Sequence, residues 1–530
     1  MKLKWISISA ITTLLMNMFA CNTNSTQSER SDDNLESVYY TPVEESTVAE
    51  PSYSMTEKDA LYTEDDVAFN TEEYDFIAEN DFLSPITNPL STFSIDVDNA
   101  SYTNVRRMIN NGQKPPADAV RIEEFVNYFK YDYPIPNKED VFSVYTEVGD
   151  CPWNENNKLV HIGLQGYTVP VEELPATNLV FLLDVSGSME DANKLPLLKQ
   201  SFKMLVDKLN SKDRVSIITY AGEDRVVLES TSCENKKVIK NAIDNLSAGG
   251  STNGEGGINR AYDIASENFL KDGNNRIILA TDGDFNMGQS SDGELTRLIE
   301  QKRDKGIYLT ILGFGMGNYK DSKMESLADN GNGNYFYIDD ISESNRVLVT
   351  NLAGTLFTIA KDVKIQVEFN PNFVAEYRLI GYENRLMNSE DFEDDKKDAG
   401  ELGAGHTVTA IYEILPGKAK VSNLKYQDKS NKTSDDLLTV KLRYKKPGNE
   451  TSILKEVVVK TNATKIWNNT SKLFKFSSAV AGFAMLLRDS KYIGNFTYTD
   501  VIKIATENTE VNELYKTEFI GLVNKVNLMN

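Results

Sequence analysis

Five oxygen-bearing side chains, in three separate segments of the chain, have the types and spacing that a hard metal ion requires. Carboxylate and hydroxyl oxygens suit Mg²⁺, and they are equally open to Mn²⁺ or Ca²⁺. A serine, threonine or aspartate after a strand often only caps a helix, and one such residue alone would deserve that interpretation. Five together favour a divalent-cation site. The five residues are Asp184, Ser186, Ser188, Thr252 and Asp282.

Apolar runs that are typical of buried strands precede these polar residues. Residues 179–183 form a continuous apolar run that ends at Asp184, and residues 276–280 form a second run that is followed by Thr281 and Asp282. Strand-like runs and helical periods alternate from residue 175 to residue 360, which predicts a doubly wound α/β domain. In such sheets ligands bind beyond the carboxyl ends of the strands, which is where the polar residues follow.

The order Asp-x-Ser-x-Ser, then Thr, then Asp resembles the metal-ion-dependent adhesion site of von Willebrand factor A domains. The resemblance implies that Ser186, Ser188 and Thr252 bind the ion directly, and that Asp184 and Asp282 hold it mostly through water. Neutral hydroxyl ligands leave the ion electrophilic, and one coordination position stays open. A carboxylate of an acidic protein partner is the natural ligand for that position.

The segments around this domain resemble bacterial A-domain lipoproteins of the YfbK type. The resemblance covers nearly everything after residue 82, and it implies architecture and location better than a biological role. The similar segments are residues 91–107, 115–125 and 131–134 before the domain, 280–286 and 331–335 within it, and 479–488 near the end of the chain.

Alternating apolar residues on both sides of the A domain predict strands of one β-sandwich into which that domain is inserted. Residues 466–507 have the pattern of helices that pack their apolar faces, and helical segments are expected at both ends of the folded part. The predicted division is a signal peptide (1–20), an acidic tether (21–82), an N-terminal YfbK-type domain with sandwich strands (83–174), the A domain (175–360), further sandwich strands (361–462) and a helical C-terminal segment (463–530).

The N-terminus has the pattern of an export signal. Lys2 and Lys4 precede an apolar run over residues 5–19, which is typical of a secretory signal peptide. Residues 18–21 resemble a bacterial lipobox, which implies that Cys21 is lipidated and anchors the chain in the cell envelope, at the outer membrane or the cell surface. The alternative is an ordinary signal peptide with a coincidental cysteine. Residues 22–82 hold 17 acidic and two basic residues, a composition that predicts a flexible tether.

Several binding and catalytic classes are disfavoured by composition and spacing. A net charge of −23 argues against a nucleic-acid partner, and only two histidines (His161 and His406) exclude a zinc site of several imidazoles. The glycine-rich loop has Glu255 where a phosphate loop needs lysine, so no nucleotide is expected. The nearby acids Asp96 and Asp98 are interpreted as a turn or a helix cap.

Three functions are compatible with these features. The predicted one is a lipid-anchored binding protein that uses the cation to hold a carboxylate and is not an enzyme. An assembly or maturation factor of a membrane complex is the alternative, because A domains of this kind often cooperate with AAA+ ATPases, although an exported protein could not reach a cytoplasmic ATPase. A metal-dependent hydrolase is less favoured, because no His, Glu or Lys general base is identifiable near the motif.

Overall fold

A computed structural model describes residues 72–529, apart from residues 138, 253, 284, 286–291, 318 and 421–433. The predicted signal peptide, Cys21 and the tether up to residue 71 lie outside the described residues. In the described ranges, no helix has both the length and the apolarity to cross a membrane.

Three strands and two helices precede the predicted A domain. The strands are β1 (Leu90–Ser94), β2 (Phe142–Asp150) and β3 (Lys158–Gly166), and the helices α1 (Ala100–Asn110) and α2 (Ile122–Tyr128) lie between β1 and β2. Asp96 and Asp98 stand in the short link from β1 to α1. The Asp96 carboxylate accepts a hydrogen bond from the Asp98 backbone (2.8 Å), so the aspartates form the expected turn, while Asn99 stands at the cap position.

The central domain is built on one six-stranded sheet. Its strands are β4 (Thr177–Asp184), β5 (Arg214–Tyr220), β6 (Asp224–Ser232), β7 (Asn274–Thr281), β8 (Ile307–Gly313) and β9 (Tyr335–Tyr337). They lie in the order β6-β5-β4-β7-β8-β9, and all neighbours are parallel except β5 and β6. The chain moves from β4 to β5 on one side and later adds β7 on the other, which makes the β4–β7 boundary the switch point of the sheet.

Helices cover both faces of this sheet, which is why every residue of β4 is buried. Such burial explains the continuous apolar run in the sequence. The confirmed fold class is therefore a doubly wound α/β domain. Its helices are α3 (Leu195–Lys208), α4 (Lys236–Asp244), α5 (Gly254–Glu267), α6 (Asp292–Arg303), α7 (Asp321–Asn330), α8 (Ile341–Asn345) and α9 (Leu352–Leu356), with a π-helical turn (Arg346–Thr350) between the last two.

The remaining strands and helices follow the central domain. The strands are β10 (Thr358–Phe369), β11 (Val374–Ile380), β12 (Leu386–Met387), β13 (Gly400–Gly403), β14 (Thr407–Pro416), β15 (Asp436–Lys445) and β16 (Ile453–Lys460). The helices are α10 (Lys472–Leu487), α11 (Tyr498–Glu507) and α12 (Leu514–Met529).

Strands from both sides of the central domain form one β-sandwich. One sheet has the order β12-β1-β10-β15-β16, with β13 also paired to β10, and the other has the order β11-β14-β3-β2. The antiparallel pairs β1–β10 and β3–β14 join the two flanks of the chain. Apolar side chains of both sheets, among them Phe93, Val160, Ile365 and Tyr412, share one core. This confirms the predicted insertion of the A domain between sandwich strands.

The N-terminal and C-terminal helices pack together in a second core, which confirms the predicted helical segments. Phe125 of α2, Phe483 of α10 and Phe519 of α12 are fully buried there, and the Phe483 and Phe519 rings meet edge to face with centroids 5.4 Å apart. Helix α1 also contacts the central domain, because Thr103 donates a hydrogen bond to the carbonyl of Tyr337 (2.8 Å) in β9.

Residues 72–82 belong to the predicted tether, but the structure places them against the folded body. The Glu72 carboxylate forms an ion pair with Arg107 (2.9 Å) and accepts a hydrogen bond from the backbone of Gly317 (2.9 Å). Asn80 donates to the carbonyl of Gly381 (2.9 Å). Although this segment has the acidic, weakly apolar composition of a tether, specific ion pairs and backbone acceptors hold it.

Candidate metal centre

The first segment of the site begins at the carboxyl end of β4. Asp184 is the last residue of that strand and is fully buried. Its Oδ1 accepts a hydrogen bond from the Ser186 backbone (2.9 Å), which turns the chain into a short 3₁₀ helix (Gly187–Glu190). The hydroxyls of Ser186 and Ser188 consequently lie 3.0 Å apart.

Two backbone hydrogen bonds join the second segment to the first. Gly187 donates to the carbonyl of Gly250 (3.0 Å), and Gly249 donates to the carbonyl of Val185 (2.8 Å). Gly250 has φ of +87°, a conformation that an L side chain adopts only with strain. The glycine-rich loop can therefore cross closely beside the first segment, and this brings the loop that carries Thr252 to the same edge of the sheet.

The third segment follows β7, the neighbour of β4. Thr281 ends that strand, and its hydroxyl donates a hydrogen bond to Asp184 Oδ2 (3.4 Å). Asp282 comes next and is fully buried. The segments that carry all five predicted residues therefore meet at one edge of the sheet, beside its switch point.

The carboxylates and the hydroxyls of this site differ in exposure. Asp184 and Asp282 are buried, Thr252 is half-buried, and Ser188 is exposed. Burial raises the pKa of Asp184 to about 6, against the effect of the hydrogen bonds from Ser186, and the nearby Asp282 carboxylate acts in the same direction as burial. A buried carboxylate pair is a site that a cation stabilises. The donor set consists of hard oxygens, so it fits Mg²⁺, Mn²⁺ or Ca²⁺.

A lysine that was not predicted contacts one of these carboxylates. Lys194 Nζ lies 3.0 Å from Asp282 Oδ2, and its side chain is buried. Lysine enters the interpretation of the sequence only as a general base, so this ion pair is not among the predictions. A signal for it existed in the sequence, because Lys194 directly precedes α3, and helices that follow a parallel strand begin at the carboxyl edge of the sheet. The Asp282 carboxylate engages this ammonium group, so it is not placed as a general base.

A second group of acids lies where α2, α7 and the β1–α1 link meet. Oxygens of Asp96, Glu124 and Glu325 lie within 4.8 Å of one another, and all three residues are buried. Arg385 contacts Asp96 Oδ2 (3.2 Å) and Glu325 Oε1 (3.2 Å), and Arg121 forms ion pairs with Glu124 and Asp321. We call Asp96, Glu124, Glu325, Arg121 and Arg385 the arginine–carboxylate cluster; its cations come from the chain itself.

His161 and both described cysteines are buried, and His406 is half-buried. The tyrosine hydroxyl of Tyr133 is 2.6 Å from His161 Nε2, and the Ser477 hydroxyl is 3.0 Å from His161 Nδ1. Burial lowers the pKa of His161 and of His406 to about 4. Cys151 and Cys233 are both buried free thiols.

Three family models match the chain, in the order of its parts. The model described as "von Willebrand factor" matches residues 68–161, and "von Willebrand factor type A domain" matches residues 178–350. The model described as "Uncharacterized protein YfbK, C-terminal" matches residues 354–529.

Similar proteins extend these matches. "Uncharacterized protein YfbK" of Escherichia coli (strain K12) is 42% identical over 468 residues, which cover 86% of this chain and 80% of that protein. Inter-alpha-trypsin inhibitor heavy chain H4 of Sus scrofa is 28% identical over 149 residues, or 26% of this chain and 16% of that protein. The solved structure "von Willebrand factor type A from Catenulispora acidiphila" has 16% identity and a TM-score of 0.41, over 73% of this chain and 93% of that one.

Proposed function

This chain belongs to the YfbK family, and we propose that it is an exported, lipid-anchored protein that uses a divalent cation to bind a carboxylate of a protein partner. Its central part is a von Willebrand A domain, a domain that often mediates protein–protein interaction and commonly binds a divalent metal at the motif described above. The identity of the metal, the protein partner and the lipid anchor are all part of this proposal.

The observation that carries the proposal is that two buried carboxylates lie beside three hydroxyl-bearing residues of graded exposure: Ser186 is buried, Thr252 is half-buried and Ser188 is exposed. Asp184 and Asp282 supply negative charge from within the protein, and Ser188 presents a hydroxyl at the surface. By the resemblance described above, Ser186, Ser188 and Thr252 would hold the ion directly. A bound cation supplies a positive centre, to which a carboxylate from outside the protein is attracted.

Calorimetry on the full chain tests the metal part of the proposal. We expect Mg²⁺ to bind with one-to-one stoichiometry, and we expect Ser188→Ala and Asp184→Asn to weaken that binding. Ser211→Ala is the matched control, because it removes an exposed hydroxyl from the turn between α3 and β5, at the opposite edge of the sheet. Absence of Mg²⁺, Mn²⁺ and Ca²⁺ binding by the unaltered chain would overturn the proposal.

A pull-down from envelope extract tests the partner. The full chain is immobilised, and extract is applied in Mg²⁺ or in EDTA. We expect a protein that is retained only in Mg²⁺ and is released by excess glutamate, because the carboxylate of the partner and the carboxylate of glutamate compete for the same coordination position. Retention that is equal in EDTA contradicts cation-dependent binding.

Membrane fractionation tests the anchor. Cys21 and the signal pattern are the support for it in the sequence. We expect the chain to incorporate labelled fatty acid and to sediment with membranes, and we expect Cys21→Ser to lose both properties. Unchanged labelling of Cys21→Ser would contradict lipidation at that residue.

The proposal assigns no catalytic role to the site. Lys194 is engaged by Asp282, and His161 is buried between Tyr133 and Ser477, so neither of these groups is placed to accept a proton from water beside the ion. Turnover of an ester or phosphoester by the purified chain in Mg²⁺, abolished in Asp184→Asn, would contradict this part.

A further inference from the structure

Lys194 is held firmly at the metal centre. Its Nζ lies 3.0 Å from Asp282 Oδ2, with 7% of the lysine side chain and none of the aspartate side chain exposed. The aliphatic part of the side chain lies against Gly315, where an added methyl group would collide with Lys194 Cε. Gly315 has φ of +77°, so both the backbone conformation and the space favour glycine there. The ammonium group is thus a built part of the site.

The lysine changes the charge that a cation meets. Among the residues that the structure describes at this centre, Asp184 and Asp282 supply two carboxylates, and Lys194 supplies one ammonium group at ion-pair distance from Asp282. With a divalent cation bound, these groups would carry one net positive charge, whereas without the lysine they would carry none. The acids Glu190 and Asp191 that follow the motif are exposed, and water and salt screen such charges.

We propose that Lys194 is a specificity-determining residue of this centre: it weakens the binding of the divalent cation alone and strengthens the binding of a carboxylate to the loaded centre. The inference rests on the function proposed above. The same charge acts in opposite directions on the two ligands, because it repels a cation and attracts an anion. Cation and carboxylate would therefore bind most tightly together, so that the site is filled chiefly when a partner is present.

The expected size follows from Coulomb's law. One unit charge that acts on another over about 6 Å at an effective dielectric constant of about 20 changes a binding constant by about 100-fold, and its effect on a divalent cation is larger because the energy scales with the ion's charge; relaxation of the site reduces both effects to about tenfold or more. Removal of the charge is therefore expected to shift each of the two affinities measurably, in opposite directions.

Calorimetry on the full chain and on Lys194→Met tests the inference. Mg²⁺ is titrated first, in a buffer without carboxylates. The blocked peptide acetyl-Gly-Glu-Gly-amide is then titrated at saturating Mg²⁺, with acetyl-Gly-Gln-Gly-amide as the uncharged control peptide. We expect Lys194→Met to bind Mg²⁺ about tenfold more tightly and the glutamate peptide about tenfold more weakly. Methionine keeps the apolar contact with Gly315.

A matched variant separates local charge from net charge. Lys203 lies in the same helix, α3, and pairs with Asp244 (2.6 Å) at the surface. Lys203→Met removes the same charge from the chain, and we expect both affinities to stay unchanged. Lys194→Gln repeats the test with a polar side chain and decides the question if Lys194→Met does not fold, as judged by circular dichroism and thermal melting in EDTA.

The outcomes are distinct. If Lys194→Met weakens both Mg²⁺ and peptide binding, the lysine only positions Asp282, and the inference is overturned. If neither affinity changes, it is overturned as well. Failure of the proposed function has a different signature, because the unaltered chain would then bind no divalent cation, or would bind one without binding the peptide.

Discussion

The metal centre and the arginine–carboxylate cluster both gather acidic oxygens, but they balance the charge in different ways. The three carboxylates of the cluster are buried, and Arg121 and Arg385 contact them directly. Among its described residues, the candidate metal centre has one lysine beside two carboxylates, with a serine hydroxyl exposed at its surface. The difference shows that acidity alone does not define a cation site. What matters is whether the chain supplies its own cations and whether solvent can reach the oxygens.

Loss of an arginine from the cluster should have the largest effect. Arg385 forms ion pairs with Asp96, Asp98, Glu325 and Asp329. Arg385→Met leaves buried carboxylates without compensation, and we expect the free energy of unfolding to fall by about 3–5 kcal/mol in urea denaturation. Lys441→Met, which removes an exposed pair with Glu368, is the control and should change it by less than about 1 kcal/mol. Equal effects would show that the cluster behaves like a surface ion pair.

Mg²⁺ should distinguish the two regions. A ligand at about 100 times its dissociation constant stabilises the folded state by about 2.7 kcal/mol. We expect Mg²⁺ to raise the melting temperature of the full chain, Asp282→Asn to remove that increase, and Asp96→Asn to keep it. If Asp96→Asn removes the Mg²⁺-dependent rise in melting temperature, the arginine–carboxylate cluster is a cation site as well, and the distinction between the two regions is wrong.

The cluster should also make stability depend on pH through its neighbour Glu123. Burial, followed by the charges of Glu383 and Asp96, raises the pKa of Glu123 to about 8. A carboxyl whose folded pKa is raised stabilises the fold below its unfolded pKa and loses that contribution as pH rises to the folded value. Between about pH 4.5 and pH 8 the unaltered chain should therefore lose about 4 kcal/mol relative to Glu123→Gln. Parallel stability curves from urea denaturation would contradict this assignment.

The smallest effect on stability is expected at the exposed side of the metal centre. Ser188 is exposed, so Ser188→Ala should change the free energy of unfolding in EDTA by less than about 0.5 kcal/mol. The same variant should weaken Mg²⁺ binding about tenfold, which corresponds to about 1.4 kcal/mol, because one of the proposed oxygen ligands is lost. A large loss of stability in EDTA would indicate a structural role for the hydroxyl.

Much of the fold was predictable because its signals are local. The apolar run that became β4 and the polar residues after it predicted a parallel sheet with a site at its carboxyl edge. Alternating residues on both flanks predicted the sandwich, which the β1–β10 and β3–β14 pairs form. The predicted C-terminal boundary of the tether is wrong. Residues 72–82 show no apolar period, and Glu72 and Asn80 are held by partners that are remote in sequence.

The sequence by itself determined which oxygen-bearing side chains follow the strands of the A domain. Both signals, the periodicity of the strands and the motif after them, lie within short stretches of sequence. Only the tertiary structure decided which cations face the acids. Arg385 reaches Asp96 across 289 positions, and Lys194 reaches Asp282 across 88. Such pairs depend on how packed elements meet, and no local pattern encodes that. Tertiary packing therefore determines that arginines of the chain neutralise the arginine–carboxylate cluster, whereas the candidate metal centre keeps oxygens that an external ion can reach.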